Sequence, residues 1–279
     1  MKIPHALGAA VLVAGIAACK QAPPAAKAPA AAAPPQNVTI TAVNYALTMP
    51  DTLKPGLTTF HFVNNGTELH QAQIVRVDSG KTLKDVMAAG DNFSPAWEVW
   101  VGGPNATMPH DSTNATVMLA PGHYVALCII PSPDGKPHLM KGMATEFDVV
   151  GPAPAAPVWP KADVTVKASD YTFDVTPAIT SGTHTVQFDN SGPQVHEALI
   201  VKLAPGKTGK DFFAWVGAGQ KGPPPITAVF GMSSLSVGQT AEATFNFPAG
   251  NYALICFVPD KKDGAPHAAH GMIKDFTVN

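Results

Sequence analysis

The chain has 279 residues, among them 28 Pro and 24 Gly, with only 14% charged residues and a formal net charge of -2. That much Pro and Gly excludes a helical bundle, and a hydrophobic share of 46% excludes a disordered chain. Its 18 Lys and Arg balance 20 Asp and Glu, which leaves no basic footprint for nucleic acid, so a β-rich globular protein of about two domain lengths is expected.

Residues 1–18 read as a secretory signal peptide: Lys2, then an apolar run from Ala6 to Ile16, then small residues before Cys19. The run is too short and wrongly flanked for a transmembrane span. Ile16-Ala17-Ala18-Cys19 resembles the bacterial lipobox, which implies cleavage before Cys19, its lipidation, and a protein held on the periplasmic side of a bacterial membrane. By the same resemblance Lys20 favours the outer membrane. Residues 19–36 then form the lipidated Cys and an Ala/Pro-rich spacer that lacks the side chains to build a core.

Beyond the spacer the chain is a tandem repeat, residues 37–150 and 162–279, joined by a Pro-rich linker at 151–161. Val38, Tyr45, Asn64, Gly66 and His70 meet Val164, Tyr171, Asn190, Gly192 and His196. Tyr124, Cys128, His138, Gly142 and Met143 meet Tyr252, Cys256, His267, Gly271 and Met272. Within each copy, apolar residues alternate with period two between Gly, Pro and Asn turns, as in Val38/Ile40/Ala42 and Val164/Val166/Ala168. The pattern predicts an all-β fold of two Greek-key β-sandwiches. One short helix is expected in each, near Thr82 to Ala89 and Thr208 to Trp215.

Each copy carries a His, a Cys, a second His and a Met in that order: His70, Cys128, His138 and Met143, then His196, Cys256, His267 and Met272. Two imidazoles, a thiolate and a weak axial thioether form the ligand set of a type 1 blue copper site. Thiolate and thioether are soft donors that hold Cu(I), and imidazole suits both oxidation states. A zinc reading through Cys256, His267 and His270 ranks low, because Met is a poor zinc ligand and Lys141 stands where His270 stands in the other copy. His61, His110, His123 and His184 have no matching histidine and are assigned to solvent or turns. Gly217 to Gly222 satisfies G-x-G-x-x-G, but Pro223-Pro224-Pro225 follows and cannot open the helix that dinucleotide binding needs.

The segments Asn64 to His70 and Asn190 to His196 resemble the N-x-G-x-x-x-H segment of the cupredoxins, and His138 to Met143 and His267 to Met272 resemble the H-x-x-x-G-M ending of plastocyanin and rusticyanin. Cys128 and Cys256 close Gly-x-Tyr strands, as the copper cysteine does in that family. The resemblance implies two cupredoxin-like sandwiches, each holding one type 1 copper. One departure stands out: nine residues separate Cys from His in the first copy (Ile129 to Pro137) and ten in the second (Phe257 to Pro266), longer than is usual in the family. Copper nitrite reductases and multicopper oxidases also fuse such units, but they add histidines beside the type 1 cysteine and H-x-H motifs. Cys128 here lies between Leu127 and Ile129, Cys256 lies between Ile255 and Phe257, and no H-x-H occurs. The sequence therefore points to a non-enzymatic, extracytoplasmic electron carrier with redox proteins as partners. Copper storage or delivery, and a metal-free interaction module, stand as alternatives.

Overall fold

A computed structural model describes residue 1 and residues 34–89, 94–153 and 158–279. Residues 2–18 of the signal segment, Cys19 and all but the last residues of the first spacer lie outside the described residues, as do residues 154–157 of the second linker.

The first repeat contains β1 (Gln36–Val43), β2 (Ala46–Thr48), β3 (Thr52–Leu53), β4 (Gly56–Asn64), β5 (Gln73–Val77), α1 (Leu83–Ala89), β6 (Glu98–Gly102), β7 (Ser112–Leu119), β8 (Gly122–Leu127) and β9 (Ala144–Val149). The second contains β10 (Val164–Ser169), β11 (Thr172–Thr176), β12 (Gly182–Asn190), β13 (His196–Leu203), α2 (Gly209–Gly217), β14 (Ile226–Leu235), β15 (Thr240–Phe247), β16 (Gly250–Ile255) and β17 (Ile273–Val278). The period-two reading holds in detail, since Val38, Ile40 and Ala42 on β1 and Val164, Val166 and Ala168 on β10 are the buried set. Both helices fall where the sequence places them. α2 opens with a capping box in which Thr208 and Asp211 satisfy each other's backbone amides.

The strands form two sheets, ordered β11-β10-β12-β15-β7-β4-β1-β2 and β17-β16-β13-β14-β6-β5-β8-β9-β3. Each sheet runs through both repeats, so the Pro-rich linker does not hold the sandwiches apart. The junction strands are the same strand of each copy: β7 pairs antiparallel with β15, and β6 with β14. Pro104 bridges Met232, 128 positions later, the spacing that also separates Tyr124 from Tyr252. A residue bridged to the one at the matching position of the other half lies on a local two-fold axis, so the two halves build an isologous interface inside one polypeptide. Reciprocal bonds follow: Ser233 N donates to Gly103 O at 2.8 Å, and Asn105 N donates to Gly231 O at 3.1 Å. Gly103 and Gly231 have φ of 130° and 145°, and a Cβ on either would run into the carbonyl of Ala72 or Ala198.

One apolar core fills the sandwich, with Phe60, Phe62, Tyr124 and Phe147 in the first repeat continuous through Val117, Leu235 and Ala241 with Phe188, Phe247 and Tyr252 in the second. Each Gly-x-Tyr strand ties its tyrosine hydroxyl to a carbonyl four residues earlier, Tyr124 to Ala120 at 2.7 Å and Tyr252 to Pro248 at 2.6 Å. This corner fixes the strand that ends in Cys.

The junction contains one liability. Glu242 on β15 lies beside Thr116 of β7, is 2% exposed, and neither carboxylate oxygen has a partner. Burial, reinforced by Asp189, pushes its carboxyl up to about 7. The folded chain therefore binds more protons here than the unfolded chain between about pH 4.5 and 7, and stability falls as pH rises through that window. Glu242→Gln should stabilise the protein by on the order of 1 to 3 kcal/mol at pH 8 and by much less at pH 5. Chemical denaturation at the two pH values checks this, and an equal effect at both would contradict it.

Candidate metal centre

Each site is assembled from three segments at one end of its repeat. The first follows β4, where the Asn64 side chain donates to Glu68 O and Thr107 O, both at 2.9 Å, and accepts from Gly66 N at 2.9 Å. Asn190 repeats the arrangement with Gln194 O, Leu235 O and Gly192 N. These bonds fix the loop that delivers His70 and His196. Gly66 and Gly192 close on the imidazoles: a Cβ would sit 2.5 Å from His70 Nε2 at the first and 2.7 Å from His196 Nε2 at the second. The N-x-G pattern is thus a steric requirement of the histidine it precedes.

The second segment is the end of the Cys strand. Cys128 N donates to Met143 O at 3.1 Å, and Cys256 N donates to Met272 O at 3.3 Å, which joins the cysteine main chain to that of the methionine. Gln71 N donates to Cys128 Sγ at 3.4 Å. The third is a 3-10 turn, His138–Lys141 and His267–His270, ended by Gly142 and Gly271 with φ of 98° and 97°. Only glycine takes this left-handed conformation without cost, which explains the Gly of H-x-x-x-G-M.

The structure brings His70, Cys128 and His138 together, and likewise His196, Cys256 and His267; in each group the ligand atoms lie within 4.8 Å of one another. His70 Nδ1 is 3.0 Å from His138 Nδ1, and Cys128 Sγ is 3.4 Å from His138 Nδ1. The second group has 3.0 Å between the two Nδ1 atoms, with Cys256 Sγ at 3.9 Å from His196 and 3.5 Å from His267. All six residues, with Met143 and Met272, are 0% exposed. Both cysteines are free thiols. His270 groups with Asp260 and Asp263 instead of Cys256, which removes the zinc set read from sequence.

Burial sets the protonation of the donors. It pushes the Cys128 thiol up to about 12 and raises the Cys256 thiol as well. Burial, with the neighbouring imidazole second, lowers His70 and His267 to about 4. Burial thus favours the uncharged forms of these donors, and a bound cation displaces a thiol proton. The outer ring nitrogens carry carboxylates that were not visible as site residues in the sequence. His138 Nε2 lies 2.9 Å from Glu68 Oε2, and His196 Nε2 lies 2.8 Å from Asp170 Oδ1. A carboxylate there holds the proton at Nε2 and turns an unprotonated Nδ1 inward. The two sites differ, because the anchored imidazole is the second histidine in one and the first in the other. Burial opposes ionisation of Glu68, but hydrogen bonds from Tyr45 and His138 outweigh it and hold the carboxyl below its usual range. Tyr45 and Tyr171 cover the sites edge-on, with ring centroids 5.3 Å from His138 and 5.4 Å from His267. These tyrosines align in the repeat, which is the one sequence signal for them.

The extra residues of the long Cys-to-His loops pair with themselves, and His138 and His267 still reach Cys128 and Cys256. Pro131 bridges Pro137, Pro259 bridges Pro266, and Ser132 N and Asp260 N close small hairpins onto Lys136 O and Ala265 O. Matching ion pairs, Lys141 with Asp134 at 3.0 Å and His270 with Asp263 at 3.2 Å, fasten each hairpin to the 3-10 turn. His123, assigned to solvent, joins Asp148 and Glu146 away from either site, while exposed His61 pairs with Asn37 and half-buried His184 with Thr180.

No family model and no curated protein matches the chain. Solved structures do. An auracyanin from the photosynthetic bacterium Roseiflexus castenholzii is 29% identical over 41% of this chain and 94% of its own, with a TM-score of 0.30. Auracyanin B is 24% identical over 44% and 93%, with a TM-score of 0.28. A copper nitrite reductase from Nitrosomonas europaea is 15% identical over 87% and 93%, with a TM-score of 0.26. The fold is an all-β, cupredoxin-like sandwich. The expectation that the chain is not an enzyme is corrected here: solved structures that match over both halves of the chain include a copper nitrite reductase and a multicopper oxidase, each 15% identical, with TM-scores of 0.26 and 0.24.

Gly66→Ala should push His70 out of the first site and leave the second intact. Metal content per chain, measured after loading and desalting, should fall by about half while the circular dichroism of the sheets is unchanged. Full retention of metal would show that His70 is not a ligand.

Proposed function

We propose that His70, Cys128 and His138 with Met143, and His196, Cys256 and His267 with Met272, would each hold one copper ion as a type 1 site, and that the chain transfers single electrons through these sites. The observation that carries the reading is the convergence, twice in one chain, of two inward Nδ1 atoms and one thiol in a fully buried cluster beside a buried methionine. The donor set fits copper in both oxidation states: the thiol is soft, the imidazoles are borderline, and no carboxylate belongs to either group of three. Copper supplies the one-electron change between Cu(I) and Cu(II).

The chain's own residues hold the donors still. Glu68 and Asp170 orient His138 and His196, the amides of Gln71 and Ile130 point at Cys128 Sγ, and Asn64 and Asn190 lock the loops that carry His70 and His196. Water is excluded by Tyr45, Tyr171 and the hairpin loops. Donors that cannot rearrange keep the geometry nearly constant when the charge changes, which favours fast electron exchange. The extracytoplasmic setting, the lipid at Cys19 and redox-protein partners belong to the same proposal and rest on the sequence alone. The proposal concerns what the two sites do and does not limit the chain to that role.

Titrating the purified chain with Cu(II) should produce an intense thiolate-to-copper visible band that saturates at two equivalents per chain. Cys128→Ser and Cys256→Ser should each remove one equivalent, and the double variant should show no band. A band that is absent, or that survives the double variant, would overturn the reading. Instant loss of the metal to a strong Cu(I) chelator would favour copper delivery over electron transfer.

A further inference from the structure

Where the two repeats join, a cleft of about 840 Å³ opens between them, within the size range of small-molecule sites, about 300 to 1,000 Å³. Its walls come from counterpart positions of both copies, Gln71 with Glu197, Ile129 with Phe257, and Val86 with Phe212. The local two-fold that builds the sheets therefore also builds this cavity.

Its chemistry is selective. The lining is mainly apolar, with aromatic rings from Trp100, Phe212, Trp215 and Phe257. Two buried polar groups in it have no partner: Gln71 Nε2, on a residue 3% exposed, and Ser234 Oγ, on a residue 1% exposed. Buried polar groups are nearly always satisfied, so two orphans in one cleft mark where a ligand's polar atoms belong. The acceptors nearby are already engaged: Glu197 takes Asn105 Nδ2 at 3.0 Å and Phe257 N at 2.8 Å, and Glu98 takes Trp100 Nε1 at 2.8 Å. Neither Lys nor Arg occurs among the described lining residues, while two carboxylates do. An anion is disfavoured on both counts.

We infer that the cleft binds a neutral aromatic molecule of the phenol or hydroquinone class, with its ring between the aromatic walls and its oxygens meeting Gln71 Nε2 and Ser234 Oγ. The site touches both metal centres at one remove. The Gln71 backbone amide donates to Cys128 Sγ, and Glu197 accepts from the amide that follows Cys256. The inference does not depend on the copper proposal, because binding is read with no metal added.

Isothermal titration of the purified chain with 4-methoxyphenol, with quenching of tryptophan fluorescence from Trp100 and Trp215 as a second readout, tests it. One saturable site per chain is expected, with 4-hydroxybenzoate, the anion of similar shape, binding about tenfold or more weakly. Gln71→Leu and Ser234→Ala should each weaken 4-methoxyphenol by about threefold to tenfold with unchanged circular dichroism. Absence of saturable binding, equal binding of the anion, or full affinity in the double variant would each overturn the inference. The comparison of neutral and anionic probes uses the unaltered chain, so it decides the matter even if a variant fails to fold.

Discussion

Two imidazoles and a thiol within 4.8 Å of one another, in an interior closed to water, can coexist only if all are uncharged or a cation neutralises the thiolate. That constraint organises the rest of the molecule. The carboxylates of Glu68 and Asp170 sit one bond further out, where they fix a tautomer without charging the centre. The left-handed glycines after the 3-10 turns place the methionines, and the tyrosine corners fix the strands that end in cysteine. Removing any of these leaves the donors present but unpositioned, which is why so little of the chain around either site is free to vary in geometry.

Pairing between the two halves of the chain provides the second level of organisation. A sandwich with open edges risks pairing with other chains. Here β6 and β7 are capped by β14 and β15, their own counterparts, so those edges are paired and β2, β3, β11 and β17 form the outer strands. The arrangement is a two-fold interface made within a single polypeptide, and it joins two cores into one. It also traps Glu242 without partners and opens the cleft beneath the helices. The two sites thereby sit on one pair of shared sheets.

Much of this was legible in the sequence. Period-two alternation located the strands, the matching of the two halves located the His, Cys and His that converge, and His70, Cys128 and His138 meet as the resemblance to the cupredoxins implied. Tyr45 and Tyr171 were visible as a matched pair but carried no chemistry until the structure set them against His138 and His267. Glu68 and Asp170 escaped because they occupy different positions in the two copies, and a comparison of repeats finds only what recurs. The joining of the sheets escaped for another reason: strands β7 and β15 read as ordinary half-buried strands, and nothing in alternation distinguishes an edge that faces solvent from one that faces its own copy. The long Cys-to-His loops were legible as a departure from the family's spacing, but not their fold: Pro131 and Pro137, and Pro259 and Pro266, pair the surplus residues with one another.

Copper K-edge X-ray absorption on the fully loaded chain tests the central claim most directly. The account predicts a short sulfur scatterer and two imidazole nitrogens at every copper, with the fine structure unchanged in shape between half and full loading, since both sites present the same donors. A first shell of oxygen and nitrogen alone would contradict it.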